Sequence, residues 1–191
     1  MNKQPQVTDA TRQALVDAFF QLAKKKSIFK ITVREITELA GYNRTTFYRY
    51  FEDVFALIEY AEDTFLECTR QAFEKQRQGG QFGEKGFFEV IIRCCHENEE
   101  QVSILMSEQN RSHFLRRIKE NITNSVYGQK NSTPKKLVVQ DIYFYGIFYA
   151  ISINLQSKNA LSDEDLLDII QKLFDSWYLP QMRENSNGDT A

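Results

Sequence analysis

Read for its apolar and polar positions, the chain is a succession of helical periods. Ala10, Ala14, Leu15, Ala18, Phe19, Leu22 and Ala23 recur at helical spacing, one apolar stripe on a helix over residues 9–26 with Thr8 as its cap. "TVRE" at 32–35 has the form of a capping box, in which Thr32 accepts from the third helical amide and Glu35 reaches back. It opens a short helix through Leu39. "AGYN" at 40–43 adds a glycine turn and Asn43 as a second N-cap, and "RTTFYRY" is then a second short helix. Asp53 is placed to cap a long helix from Val54 to Gln78, stopped by Gly79-Gly80. Further periods predict helices near 83–97, 100–109, 111–127, 135–157 and 163–182. "GQKNSTPKK" (128–136) reads as a loop. Ser162 caps the last helix, whose Leu166, Ile169, Ile170, Leu173, Phe174 and Trp177 share a face. No segment alternates with the period of a strand. The expected fold class is all-α: a three-helix head over residues 1–53 and a larger helical body over 54–191.

Composition fits that outline. The chain has 42% hydrophobic and 13% aromatic residues but only 3 prolines and 8 glycines in 191, enough to bury a core and to carry long helices. Its 3 cysteines make no disulfide framework and favour a reducing cytoplasm. The opening "MNKQPQVTDA" lacks the apolar stretch of a signal peptide. The longest nearly apolar run, 142–155, falls short of the roughly 20 residues a membrane span needs, so no membrane partner is expected.

Charge changes the picture more. Residues 1–51 carry nine Lys or Arg against four acids, a net of +5, which leaves −7 on the remainder of a chain whose total is −2. A basic head on an acidic body suggests that one end faces a polyanion. Within the head, "NRTTFYRYF" (43–51) interleaves rings, arginines and threonines. On a helix these separate by period. Phe47 and Phe51 fall on a core face with Ile36 and Ala40, whereas Arg44, Thr45, Tyr48 and Arg49 face outward. Two short helices joined by a glycine turn under a first helix form a helix-turn-helix, whose second helix enters the major groove. Arginine can hold guanine bidentately, threonine can meet thymine, and tyrosine hydroxyls and helix amides hold phosphates. Thr32 stands ready for a phosphate and Arg34 for a base edge. An ordinary helical hairpin with a solvated polar face would use the same elements, but exposed tyrosines beside arginines favour DNA.

"TVREITELAGYNRTTFYRYFED" resembles the DNA-binding segment of the TetR/AcrR family of bacterial transcriptional regulators, over roughly residues 10–58. The resemblance implies DNA contacts at Thr32, Arg34, Arg44, Thr45, Thr46, Tyr48, Arg49 and Tyr50, and double-stranded DNA with a pseudo-palindromic operator as the partner. One position departs. The family's usual lysine at the start of the fourth helix is Val54 here, beside Glu52 and Asp53, which removes a phosphate contact. Thr37 also stands where the family prefers alanine.

The resemblance gives the body two jobs, pairing with a second copy and holding a small effector. A helix as apolar all round as Ile142–Leu155 has to be covered on more than one side. Phe148, Ile151 and Leu155, with Ile170, Phe174 and Trp177 of the last helix, are the expected homodimer seam. Phe65, Phe87, Phe88, Phe114, Tyr143, Phe144 and Phe148 could line a pocket for an apolar or aromatic effector, or could be plain core. Control by a protein partner is the alternative. Cys94-Cys95-His96 looks like chemistry, but adjacent helical residues point about 100° apart and His113 is the only other histidine. Buried thiols are the expected reading. No catalytic constellation, metal site or cofactor is expected, and the protein is not expected to be an enzyme.

Overall fold

The computed structural model describes residues 4–78, 84–125, 133–157 and 160–183, and every regular element among them is helical. They are α1 (Gln4–Ala23), a 3₁₀ turn (Ile28–Lys30), α2 (Val33–Ala40), α3 (Arg44–Tyr50) and α4 (Val54–Gln78). Then come α5 (Glu84–Glu97), α6 (Glu99–Leu105), α7 (Arg111–Ser125), α8 (Pro134–Gln156), α9 (Asp163–Leu173) and α10 (Leu179–Arg183). A π-helical turn over Phe174–Tyr178 joins the last two.

The boundaries follow from local chemistry. Thr32, Asn43, Thr133 and Ser162 each stand in extended backbone and accept from an amide three residues on, and Asp53 Oδ1 does the same for Ala56 N at 2.8 Å. Three ends differ most from expectation, one of them the end of α1 at Ala23 rather than 26. α1 begins at Gln4, so Thr8 lies inside the helix rather than ahead of it; Pro5 sits in its first turn, where a missing N–H costs no bond. α6 stops at Leu105, where the buried Asn110 amide donates to the Leu105 carbonyl at 3.1 Å. Gly79-Gly80, residues 128–132 of the expected loop and the tail beyond Arg183 lie outside the described residues.

The chain divides into two compact units, one reaching Glu67 and including Ser107–Gln109, the other taking Cys68–Met106 and continuing from Asn110. The division falls inside α4 rather than at the expected 53/54 boundary. The reason is that Leu57, Ile58 and Ala61 are buried, and Tyr60 meets Phe51 edge-on at 5.6 Å, so the first turns of α4 belong to the head's core. That core joins Leu15, Phe19 and Phe20 of α1 to Ile28, Ile31, Ile36, Phe47 and Leu57. Ala40 is only half-buried. Thr37, 3% exposed, stands beside Ile36 instead, its hydroxyl donating to the carbonyls of Val33 at 2.9 Å and Arg34 at 3.0 Å. The buried hydroxyl is thus satisfied, which is why this place tolerates it.

In the second unit α8 packs against α6, α7 and α10, and α5 against α9. α8 turns Val139, Tyr143, Ile147, Phe148, Ile151 and Leu155 inward. On its other side Val138, Ile142, Tyr145, Tyr149 and Ile153 are exposed. The helix runs 23 residues because it extends before the apolar run to Pro134. By length and composition alone it is long and apolar enough to cross a membrane, a test that a core helix also passes; 39% of its apolar window is buried within the chain.

Phe47→Ala should cost about 3–5 kcal/mol, because the ring is fully buried and its site cannot collapse around α3. Phe55→Ala, at a 58% exposed position, should stay within about 0.5 kcal/mol. Urea unfolding followed by circular dichroism checks both.

Candidate nucleic-acid interface

The α2–α3 turn is built around one left-handed residue. Gly41 has φ 73°, a conformation a side chain would strain, and Tyr42 N closes the turn on the Thr37 carbonyl at 2.9 Å. α3 is seven residues long, too short to hold itself in water. Two things seat it. Asn43 Oδ1 accepts from Thr46 N at 2.8 Å and from its hydroxyl at 3.0 Å. Phe47 and Phe51 lie buried with ring centroids 5.6 Å apart.

Seating those rings decides the opposite face. Arg44, Thr45, Tyr48 and Arg49 are exposed, and Tyr48 stands edge-on against Phe47 at 5.6 Å with its far side open. Thr46 and Tyr50 are drawn back. The Thr46 hydroxyl belongs to the Asn43 cap, and the half-buried Tyr50 ring lies 5.7 Å from the Arg12 guanidinium, which also sits 5.0 Å from the Tyr60 ring. Arg12 is a residue the sequence reading missed; an arginine in an otherwise ordinary amphipathic helix carries no local signal.

α2 presents its charges in pairs. Thr32 and Glu35 close the capping box, Thr32 N donating to Glu35 Oε2 at 3.0 Å and the Thr32 hydroxyl at 2.8 Å. Lys26 Nζ donates to Glu35 Oε1 at 2.5 Å and to the Lys30 carbonyl at 2.9 Å. The hydrogen bond from Lys26, followed by those from Thr32, pulls the Glu35 carboxyl down to about 2. On the outer face Arg34 Nε donates to Glu38 Oε1 at 2.6 Å, and that bond and charge raise the arginine further above its ordinary value. At the start of α4, where the resemblance calls for a lysine, Val54 is half-buried and the Asp53 carboxylate caps the helix. Beside it the exposed rings of Phe29 and Phe55 lie 6.0 Å apart.

Of the two readings open for the body's candidate rings, pocket lining or plain core, most of them take the second. Phe87, Phe88, Phe114, Tyr143 and Phe148 are buried, and the rings meet one another: Phe87 on Phe88 at 5.1 Å, Phe88 on Tyr143 at 6.2 Å, Phe144 on Phe148 at 4.5 Å. Tyr143 also stacks on Tyr178 at 4.4 Å, while Phe65 is half-buried. These contacts use the rings as core. A groove of ≈ 680 Å³ lies elsewhere, between α7 and α8, lined by Arg111, Ser112, Leu115, Tyr145, Gly146 and Tyr149, with the Arg111 guanidinium 4.9 Å from the Tyr149 ring. Of the expected seam, Phe148, Ile151, Leu155 and Ile170 are buried inside the protomer and Phe174 and Trp177 are half-buried. The apolar side chains left open are Ile142, Tyr145, Tyr149 and Ile153 of α8 with Ile169 and Leu173 of α9. An apolar period says that two sides need cover; it does not say which side the protomer covers itself. Cys94 and Cys95 are buried, and burial first pushes both thiols up, Cys95 to about 12. His96 turns away to Asp163, with Nε2 and Oδ1 2.7 Å apart.

No family model matches the chain. It is 39% identical over 77 residues to a Haemophilus influenzae protein described as an uncharacterized HTH-type transcriptional regulator. That match takes in 38% of this chain and 38% of the relative, so the chain matches well under half of the relative's length. By fold it is similar to the dihydroxyacetone kinase operon activator DhaS, with a TM-score of 0.57 over 90% of this chain and 95% of that one. At 19% identity this is a likeness of fold, and it agrees with the all-α architecture.

The Glu35 carboxyl is depressed in the folded state, so the stability it adds is complete above its ordinary value of 4.5 and drains as pH falls towards about 2. Thermal unfolding of the protein should show that loss across this window, and Glu35→Gln should flatten it.

Proposed function

We propose that the chain is a sequence-specific DNA-binding transcriptional regulator of the TetR/AcrR kind, working as a homodimer. The observation that carries this reading is the outer face of α3, where Arg44, Thr45, Tyr48 and Arg49 stand exposed on a helix fixed from behind by Phe47 and Phe51. A short, rigidly seated helix with cationic, hydroxyl and phenolic groups outward suits the major groove, and the basic balance of the head suits the backbone around it. The partial relationship to an HTH-type regulator supports the same conclusion. Val54 and the Asp53 carboxylate in place of a cation reduce the phosphate contacts, so the salt slope of binding is smaller by about one than the same head would have with lysine there.

The dimer reading gains support from the exposed apolar side chains of α8 and α9, Ile142, Tyr145, Tyr149 and Ile153 with Ile169 and Leu173. Two such faces meeting about a two-fold axis make a four-helix seam, and a dimer would read a pseudo-palindrome whose half-sites lie about one DNA turn, roughly 34 Å, apart. Regulation by a small effector is the preferred mode, with the protein a repressor released by its ligand. Since the interior rings are used in packing, the effector enters at the α7–α8 groove. There Tyr145 and Tyr149 favour an aromatic body and Arg111 an acceptor group. The competing reading is an activator controlled by a protein partner. It is favoured by the same exposed apolar side chains, which would suit a different chain as well as a second copy.

Arg44→Ala and Tyr48→Ala should each weaken the complex with a DNA fragment from upstream of the protein's own gene by about tenfold or more in a mobility-shift titration. Absence of any specific complex at moderate salt would sink the reading. Sedimentation should give twice the protomer mass, and Ile169→Glu should halve it while leaving the helical spectrum intact. A protomer mass that rises only on adding cell extract would favour the protein-partner reading.

A further inference from the structure

α2 carries two acids, and the fold accounts for only one. Glu35 closes the capping box and holds Lys26. Glu38 lies in the last turn of the same helix, where the macrodipole disfavours a carboxylate, and its side chain is 61% exposed. Its hydrogen-bond and ion-pair partner among the described residues is Arg34, four residues back and 68% exposed, on the side of α2 away from the buried Ile36 and Thr37. A carboxylate on a surface offered to phosphates is repelled unless something on the DNA donates to it.

The geometry of the pair suggests what donates. Glu38 Oε1 grips Arg34 through Nε, at 2.6 Å. That leaves the two terminal nitrogens of the guanidinium as an end-on fork and leaves Glu38 Oε2 as a second acceptor beside them. In the major groove the fork fits guanine O6 and N7, and the base paired with guanine presents the N4 amine of cytosine, a donor that a carboxylate accepts. We infer that Arg34 and Glu38 act as one recognition unit for a G·C base pair, Arg34 donating to guanine and Glu38 accepting from cytosine while holding the arginine in place. The inference rests on the DNA-binding reading above and adds Glu38 as a residue that sets specificity. Glu38 also keeps Arg34 from roaming to phosphates, so it lowers binding to arbitrary sequence.

Selection from a duplex library with a randomised core, followed by titration against the selected duplex and against poly(dI-dC), tests this. The wild-type protein should enrich a duplex with an invariant G·C pair in each half-site. Changing that pair to A·T should cost roughly tenfold or more in affinity. Glu38→Ala should shrink this discrimination severalfold and raise affinity for poly(dI-dC), with the salt slope steeper by about one. Arg34→Ala should shrink it at the same position, and the double variant should lose no more than Arg34→Ala alone, as expected for one unit. Equal gains on every duplex with discrimination intact would reduce Glu38 to simple repulsion and overturn the inference, as would no change at all. Failure of the wild-type protein to enrich any sequence overturns the DNA reading itself. Glu38 is exposed and unfavoured by its helix, so an unchanged thermal midpoint for Glu38→Ala separates these outcomes from misfolding.

Discussion

Phe47 is the contact on which the head depends, because α3 has no other means of being a helix in a fixed place. Seven residues cannot hold a helix in water, and the Asn43 cap organises only its first turn. Burying Phe47, 0% exposed, with Phe51 beside it, holds α3 against α2 and, through the contact of Phe51 with Tyr60, against the first turns of α4. Burial of one ring on a short helix leaves its opposite side facing solvent, so the exposure of Arg44, Thr45, Tyr48 and Arg49 is a consequence of the core, not an independent feature. The same argument explains why the head's compact unit reaches into α4: Leu57, Ile58 and Tyr60 close the far side of the space that Phe47 and Phe51 fill.

Charge in the head is held locally. Lys26 is tied to Glu35, Arg34 to Glu38, and Arg12 to the faces of Tyr50 and Tyr60. The Arg34–Glu38 pair, exposed on both sides, contributes little stability in water and orients side chains rather than holding the fold. Of the nine cations counted in residues 1–51, Arg44 and Arg49 stand outward on α3 itself, and the negative charge at the mouth of α4 adds nothing to them.

The body follows a different logic. Its rings satisfy one another along a path from Phe73 and Phe87 through Phe88 and Tyr143 to Tyr178, at centroid separations of 4.4 to 6.2 Å. The π-helical turn at Phe174–Tyr178 belongs to this packing, bringing both Phe174 and Tyr178 onto Tyr143. With that interior filled, the open features among the described residues include the α7–α8 groove and the apolar side of α8 and α9.

What could be read from the residues alone is what depends on neighbours three or four positions away. The Thr32–Glu35 box, Gly41, the Asn43, Asp53 and Ser162 caps, and the two-sided character of α3 all follow from hydrogen bonds and periods that a short segment settles without help. What required the folded chain is every choice among equivalent faces. α8 is apolar all round, so its period cannot tell that Phe148, Ile151 and Leu155 turn inward while Ile142, Tyr149 and Ile153 stay open; the packing of α6, α7 and α10 against it makes that selection. Tyr50 carries the same chemistry as Tyr48, yet Arg12 draws one in and leaves the other out. Thr37 enters the core because two carbonyls of its own helix accept its hydroxyl beside Ile36. A side chain's chemistry is local, whereas its burial is set by residues far away in the chain, and the candidate site needed both.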